Sequence, residues 1–298
     1  MDSNGIRPPA LLSVDVEDYF QVEAFSDRVD RTRWSEYPSR VEANTIAMLD
    51  LFDDCGVKGT FFVLGWVAER CPGLVKEIVQ RGHEVACHSY WHRLIFKLAS
   101  EEFREDTRRA KGLIEDAAGC AVQGYRAPSF SVVKKSLWAL DILAELGFLY
   151  DSSIFPIQHD VYGMLDAPRV PFRVETQAGP LVEFPMTTFR WMGDRNFPIG
   201  GGGYLRIFPF WVTRFGVRKA CENGVPLITY VHPWEIDPSQ PRLEGRLSSR
   251  LRHYTNLKQT AGRLRKLSKM VSFTSFRDSG LVEANLASAP RELARASS

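Results

Sequence analysis

Two histidines four residues apart, His88 and His92 in the run His88-Ser89-Tyr90-Trp91-His92, are a third of the six histidines in the chain. On a helical turn that spacing puts both imidazoles on one face, about the separation one metal ion needs. A carboxylate would complete the set, and Asp15-Val16-Glu17-Asp18 offers three. Strand alternation sends Asp15 and Glu17 to the same side, so that one can bind metal while the other stays free as a base. Two histidines and one carboxylate form a facial triad with positions open to water. Arg126, in Arg126-Ala127-Pro128, can hold a neighbouring carboxylate ionised and oriented. Asp151 and His232 supply a further acid and imidazole, and a histidine held as imidazolium by an aspartate can protonate a leaving amine.

These residues sit where strands should end. Leu11–Val16, Thr60–Leu64, Glu84–Cys87, Gly124–Arg126, a run ending at Tyr150-Asp151, and Pro226–Val231 read as buried strands. Between them, Arg40–Cys55, Pro72–Arg81, Ser100–Ala118 and Ser136–Leu146 carry helical spacing with glycine or proline punctuation. Such alternation implies an α/β fold with a parallel sheet. About seven strands with polar residues gathered at their C-terminal ends favour a closed barrel over an open sheet. Ile154–Gly203 breaks the rhythm and is expected to cross the barrel mouth, with Gly200–Gly203 as a lid or tight turn. The glycine run does not follow a strand as a phosphate loop must.

With 38 Lys+Arg against 36 Asp+Glu, the net charge of +2 disfavours a nucleic-acid partner bound by bulk charge. The five scattered cysteines contain no Cys-x-x-Cys pair and are expected to be reduced and buried. The first five residues lack a basic region leading into an apolar core, and no run is long enough to span a membrane; the expectation is a cytoplasmic protein. Arg242–Lys269 has nine basic residues and one acid, Glu244, with apolar residues at helical spacing, and reads as one amphipathic helix with a solvated basic face, contact with an acidic polymer or a membrane surface being the alternative. Trp34, Trp91, Trp191 and Trp234 are candidates for stacking on sugar rings, Trp234 above all.

Taken together, the acidic Asp15–Asp18 motif, His88-x-x-x-His92, Arg126-x-Pro128, Tyr150-Asp151-Ser152-Ser153 and Leu227–His232 resemble the five ordered motifs of the polysaccharide deacetylases, carbohydrate esterases of family four. The stretch Ser13–Phe20, the glycines before Tyr204 and Tyr230–Glu235 are similar to a bacterial branch associated with exopolysaccharide biosynthesis. The resemblance implies a distorted (β/α)7 barrel over residues 11–282, between an N-terminal arm at 1–10 and a disordered tail at 283–298. It also implies metal-dependent removal of N-acetyl groups from hexosamines of a bacterial polysaccharide or its precursor. In that reading Glu17, His88 and His92 hold a divalent ion, zinc expected and cobalt or nickel as alternatives. Asp15 is the base, Arg126 orients it, and His232 supported by Asp151 is the acid. Pro128 and Trp234 contact the glycan, and a polysaccharide synthesis complex at the inner membrane is a partner. Where the family has two adjacent aspartates this chain has Asp15-Val16-Glu17, which leaves Glu17 and Asp18 as rival ligands. Hydrolysis of a small cyclic amide or ureide, and glycan binding without catalysis, are the competing functions.

Overall fold

A computed structural model of the chain describes residues 9–159, 162–190, 193 and 195–293. In chain order these form β1 (Ala10–Val16), α1 (Val41–Cys55), β2 (Thr60–Val63), α2 (Gly65–Arg70), α3 (Pro72–Gln80), β3 (Glu84–Cys87), α4 (Ser100–Ala118), β4 (Gly124–Tyr125), α5 (Trp138–Glu145) and β5 (Tyr150–Asp151). There follow β6 (Phe172–Thr176), β7 (Gly179–Glu183), β8 (Thr188–Arg190), β9 (Asn196–Pro198), α6 (Gly202–Ile207), α7 (Phe210–Glu222), β10 (Leu227–Val231), α8 (Leu247–Tyr254), α9 (Thr260–Ser268), β11 (Phe273–Thr274) and α10 (Leu281–Leu286).

Strands β1, β2, β3 and β10 are buried at every position. That is the condition of a parallel sheet covered on both faces, and it explains why these strands read as continuous apolar runs. The parallel order is β10-β1-β2-β3-β4-β5-β7, and β6 is added antiparallel to β7. One edge of β1 is divided: Ala10 and Leu11 pair with β11, and Ser13 to Val16 pair with β2. With β11, which also runs parallel to β1, eight strands are parallel, against the seven or so expected from the sequence.

Between β7 and β10 the wall is completed by loop backbone. Met186 N donates to Ile154 O (2.9 Å), and Tyr230 N donates to Gly200 O (2.7 Å). The Thr187 hydroxyl donates to Pro226 O (2.9 Å) and accepts from Ile228 N (2.6 Å). Gly201 is pressed against β10 at φ +119°, where an added Cβ would lie 1.9 Å from Tyr230 O. Only glycine takes both that conformation and that approach.

Four expectations are corrected here. Ile154–Gly203 is not an excursion over the mouth: it contributes β6 to β9, one of them within the parallel sheet, and its glycines are wall rather than lid. Arg242–Lys269 is not one helix, because Asn256 at φ 58° separates α8 from α9 and Leu257 turns into the core. The described part of the tail is structured: α10 runs to Leu286, and Arg291 N donates to Arg173 O, while 294–298 lie outside the described residues. All five cysteines are free, but Cys87 alone is fully buried and Cys120 is exposed. No helix among the described residues is long and apolar enough to cross a membrane.

Gly201→Ala should destabilise the protein by about 3 kcal/mol, combining a forbidden dihedral with a backbone clash. Gly262→Ala in α9, where a Cβ meets nothing within 4 Å, should stabilise slightly through the unfolded chain. Urea unfolding of both variants checks the wall-closing role, and equal behaviour would refute it.

Candidate active site

The site lies at the C-terminal ends of β1, β3, β4 and β10, and Arg126 is its organising cation. Its side chain is wholly buried, so each N–H needs an acceptor. Nη1 donates to Asp15 Oδ1 (2.8 Å) and Ser13 Oγ (2.7 Å), Nη2 to Ser152 Oγ (3.0 Å), and Nε to Ser152 O (3.1 Å). The Phe62 ring lies beneath the guanidinium at 4.1 Å. Ser13 and Asp15 share a face of β1, as alternation requires. Asp15 Oδ2 is left pointing towards His232 Nε2 at 4.0 Å.

Glu17, His88 and His92 each bring one donor atom within 4.8 Å of the others, and all three are buried. The histidines do not lie on a helical turn as the spacing suggested. They lie on a loop in which Ser89 and His92 have φ of 66° and 51°, and this folds the rings to 5.3 Å centroid separation. His88 Nδ1 faces Arg126 O at 2.8 Å, which places the proton on Nδ1 and leaves Nε2 as the donor. Burial brings His88 down to about 4, so it is neutral near pH 7, as a ligand must be. Burial pushes Glu17 up, but His92, His232 and His88 together outweigh it and hold the carboxyl at about 2. Glu17 Oε2 has no conventional hydrogen-bond donor and sits 2.9 Å from His92 Nε2. A buried anion facing two imidazoles, with an unpaired oxygen, suits a divalent cation.

Asp18 is removed as the rival ligand. Its Oδ2 accepts from Ser39 Oγ, Arg40 N and Val41 N at 2.7–3.0 Å, and its Oδ1 accepts from Tyr19 N. It caps the start of α1 and has no oxygen to spare.

His232 is supported by Glu235 and not, as expected, by Asp151. His232 Nδ1 lies 2.6 Å from Glu235 Oε1, and the other oxygen of Glu235 accepts from Arg206 Nε. Arg206 Nη1 donates to the carbonyls of His253 and Thr255. Burial opposes charge on His232, but Glu235, Glu17 and Asp15 raise it above its ordinary value. Glu235 follows His232 by three residues, and this spacing on a short 3-10 turn was the available sequence signal. Arg206 is far away in sequence and left none.

Asp151 instead belongs to a buried pair with Glu183 of β7. Burial raises Asp151 to about 6 and Glu183 well above its usual range. Asp151 Oδ2 and Glu183 Oε2 lack any other partner, the pattern of two carboxyls sharing a proton. Ser153 Oγ donates to Asp151 Oδ1 and accepts from Ala127 N, which ties the pair to the Arg126 loop.

Trp234 cannot stack on a sugar, because both of its faces are covered. His232 lies on one at 4.9 Å and His253 on the other at 4.0 Å, both nearly coplanar with the indole. Its Nε1 donates to Glu17 Oε1 (3.2 Å). Trp34 is also core, packed on Phe20 and Trp66; Trp91 is half-buried beside His92; and Trp191 lies outside the described residues. Pro128 is buried at the start of a 3-10 turn and shapes the wall without presenting a surface.

A sequence profile described as Polysaccharide deacetylase matches residues 34–150, and one described as Domain of unknown function (DUF3473) matches 152–280. The chain is 33% identical over 98 residues to a peptidoglycan-N-acetylglucosamine deacetylase of Bacillus cereus, covering 33% of this chain and 36% of that protein. It is 31% identical over 98 residues to a chitooligosaccharide deacetylase of a Bradyrhizobium species, covering 33% and 42%. The match thus spans well under half the length of these relatives. Among solved structures, a Mycobacterium smegmatis protein assigned to the polysaccharide deacetylases superposes with TM-score 0.65 at 21% identity, over 100% of this chain and 97% of that one. The Puue allantoinase superposes with TM-score 0.59 at 15% identity, over 94% of each. Both likenesses are of fold.

Two outcomes follow. In metal-free protein, Glu235→Gln should lower the His232 titration midpoint, and Asp151→Asn should leave it in place; imidazole proton NMR reads both. Asp151 binds its proton more tightly folded than unfolded. The native state therefore holds more protons between pH 4 and 6, and stability falls as pH rises through that window. Thermal melts should show the wild type losing more between pH 5 and 8 than Asp151→Asn does.

Proposed function

We propose, from the premise that this chain carries a polysaccharide deacetylase domain across residues 34–150, that it hydrolyses the N-acetyl group of a hexosamine in a bacterial polysaccharide or its precursor. The supporting observation is that one pocket gathers a two-histidine, one-carboxylate donor set, a carboxylate fixed by a buried arginine, and an imidazole raised by a glutamate.

Glu17 Oε2, His88 Nε2 and His92 Nε2 are the atoms that would hold a divalent cation, with zinc the ion expected for two imidazoles and a carboxylate. When bound, such an ion supplies Lewis-acid polarisation of the acyl oxygen and makes a water more acidic. Asp15, with Oδ1 fixed by Arg126, has Oδ2 free to take the proton of the attacking water. His232, protonated through the influence of Glu235, delivers its proton to the amide nitrogen as the C–N bond breaks. Acetate and the free amine leave, and one water has been consumed. The 4.0 Å between Asp15 Oδ2 and His232 Nε2 allows the base and the acid to bracket one tetrahedral carbon.

The substrate class follows the relatives, a peptidoglycan-N-acetylglucosamine deacetylase and a chitooligosaccharide deacetylase. The exopolysaccharide assignment rests on the sequence resemblance at Ser13–Phe20 and Tyr230–Glu235.

Metal-stripped protein should release acetate from N-acetylglucosamine oligomers only after zinc, cobalt or nickel is restored, and His88→Ala should lose both metal and turnover. Asp15→Asn should lose about 10³-fold in kcat and keep full metal stoichiometry. Tight glycan binding with no acetate under any metal would overturn the catalytic reading. Hydrolysis of a cyclic ureide in its place would move the chain to the other chemistry.

A further inference from the structure

Helix α8 carries an outward face that the folded protein leaves uncovered. Leu247 and Leu251, four residues apart and so stacked on one stripe, are 70% and 59% exposed. Arg246, Arg250 and Arg252 flank them and are exposed, and α8 contains no acidic residue. Arg252 reaches over Gly203, whose missing side chain would also meet Ile207 at 3.8 Å; Ile207 is 45% exposed and extends the apolar strip onto α6. Elsewhere surface arginines take carboxylate partners, as Arg104 does with Glu101 and Glu145, Arg108 with Glu105, and Arg265 with Asp54. Among the described residues the three arginines of this face form no ion pair. Glu244 is the acid nearest in sequence.

We propose that this face is a docking surface for an anionic lipid bilayer. The occupant must satisfy two demands at once: it must accept leucine side chains out of water, and it must carry negative charge beside them. A bilayer with acidic headgroups meets both, because arginines stay at the headgroup level while the leucines enter the acyl boundary. An acidic soluble glycan would pair with the arginines and leave the leucines in water. A second copy of the chain would set the same cationic face against itself, which like-charge repulsion opposes. The face adjoins the chemistry, since Arg206 joins Glu235 to the carbonyls at the C-terminal end of α8. Docking there would hold the pocket beside substrate displayed at a membrane.

The test is co-sedimentation of the full chain with phosphatidylcholine vesicles, with and without phosphatidylglycerol. Binding should require phosphatidylglycerol and weaken with salt. It should fall at least tenfold both in Leu247→Ser/Leu251→Ser and in Arg246→Glu/Arg250→Glu. Melting temperature and acetate release from soluble oligomers should match wild type in each pair, since these residues touch neither core nor pocket. Absence of wild-type binding to phosphatidylglycerol vesicles would overturn the proposal. So would binding that survives either pair, or binding to a soluble polyanion that equals binding to vesicles and ignores the leucine pair. Failure of acetate release with lipid binding intact would count against the deacetylase reading and leave the docking surface standing.

Discussion

Arg126 is held at the centre of the barrel mouth without any contact with water, and a guanidinium so placed is tolerable only if every donor is met. Its acceptors lie on β1 and just beyond β5, while β2 supplies the aromatic ring beneath it. One side chain thus fixes the ends of several strands relative to one another. Its backbone does a second job: the Arg126 carbonyl engages His88 Nδ1 and so determines which nitrogen of that imidazole is free. Removing the guanidinium would leave Asp15 as a buried, unpaired carboxylate, a loss of about 3–5 kcal/mol by analogy with broken buried pairs. The orientation of Asp15 and the geometry of the donor set are therefore not independent properties of this protein.

The two sequence segments recognised by separate family profiles do not correspond to two sites. His88, His92 and Arg126 come from the first, whereas Arg206, His232, Trp234 and Glu235 come from the second; Asp15 and Glu17 precede both. The second segment provides β7 and β10 of the same sheet, and it contributes a support for His232 that is unlike the aspartate suggested by motif order. Arg206 is needed there because Glu235 is fully buried, and a lone carboxylate would otherwise resist ionisation.

Local information was enough for much of this. Strand-end placement of Asp15, Glu17, His88, Arg126 and His232 could be read because parallel barrel strands are short apolar runs whose polar residues fall where the runs stop. The partner of His232 was not read in the same way: Asp151 stands at a strand end, whereas Glu235 lies on the short turn three residues past His232, and only packing decides between them. Trp234 misled for a related reason: aromatic residues near a site look alike in sequence whether they face solvent or are sandwiched between imidazoles. The wall between β7 and β10 was illegible because it is made by backbone groups of Gly200 and Met186 and one threonine hydroxyl, none of which leaves a hydrophobic period. The break at Asn256 was missed because nothing in the apolar spacing forbids a continuous helix there.

The sandwich of His232, Trp234 and His253 also bears on motion. With one face against the indole and Nδ1 tied to a glutamate that is itself anchored, the His232 ring has little freedom to swing towards a departing group. In the hydrolysis proposed above, a proton donor that cannot follow its target would transfer the burden of alignment to the ligand. Selectivity would then become a matter of angle: an amide whose nitrogen lone pair meets the imidazole edge would be turned over, and one presented obliquely would be held unreacted, however well the rest of the molecule fits.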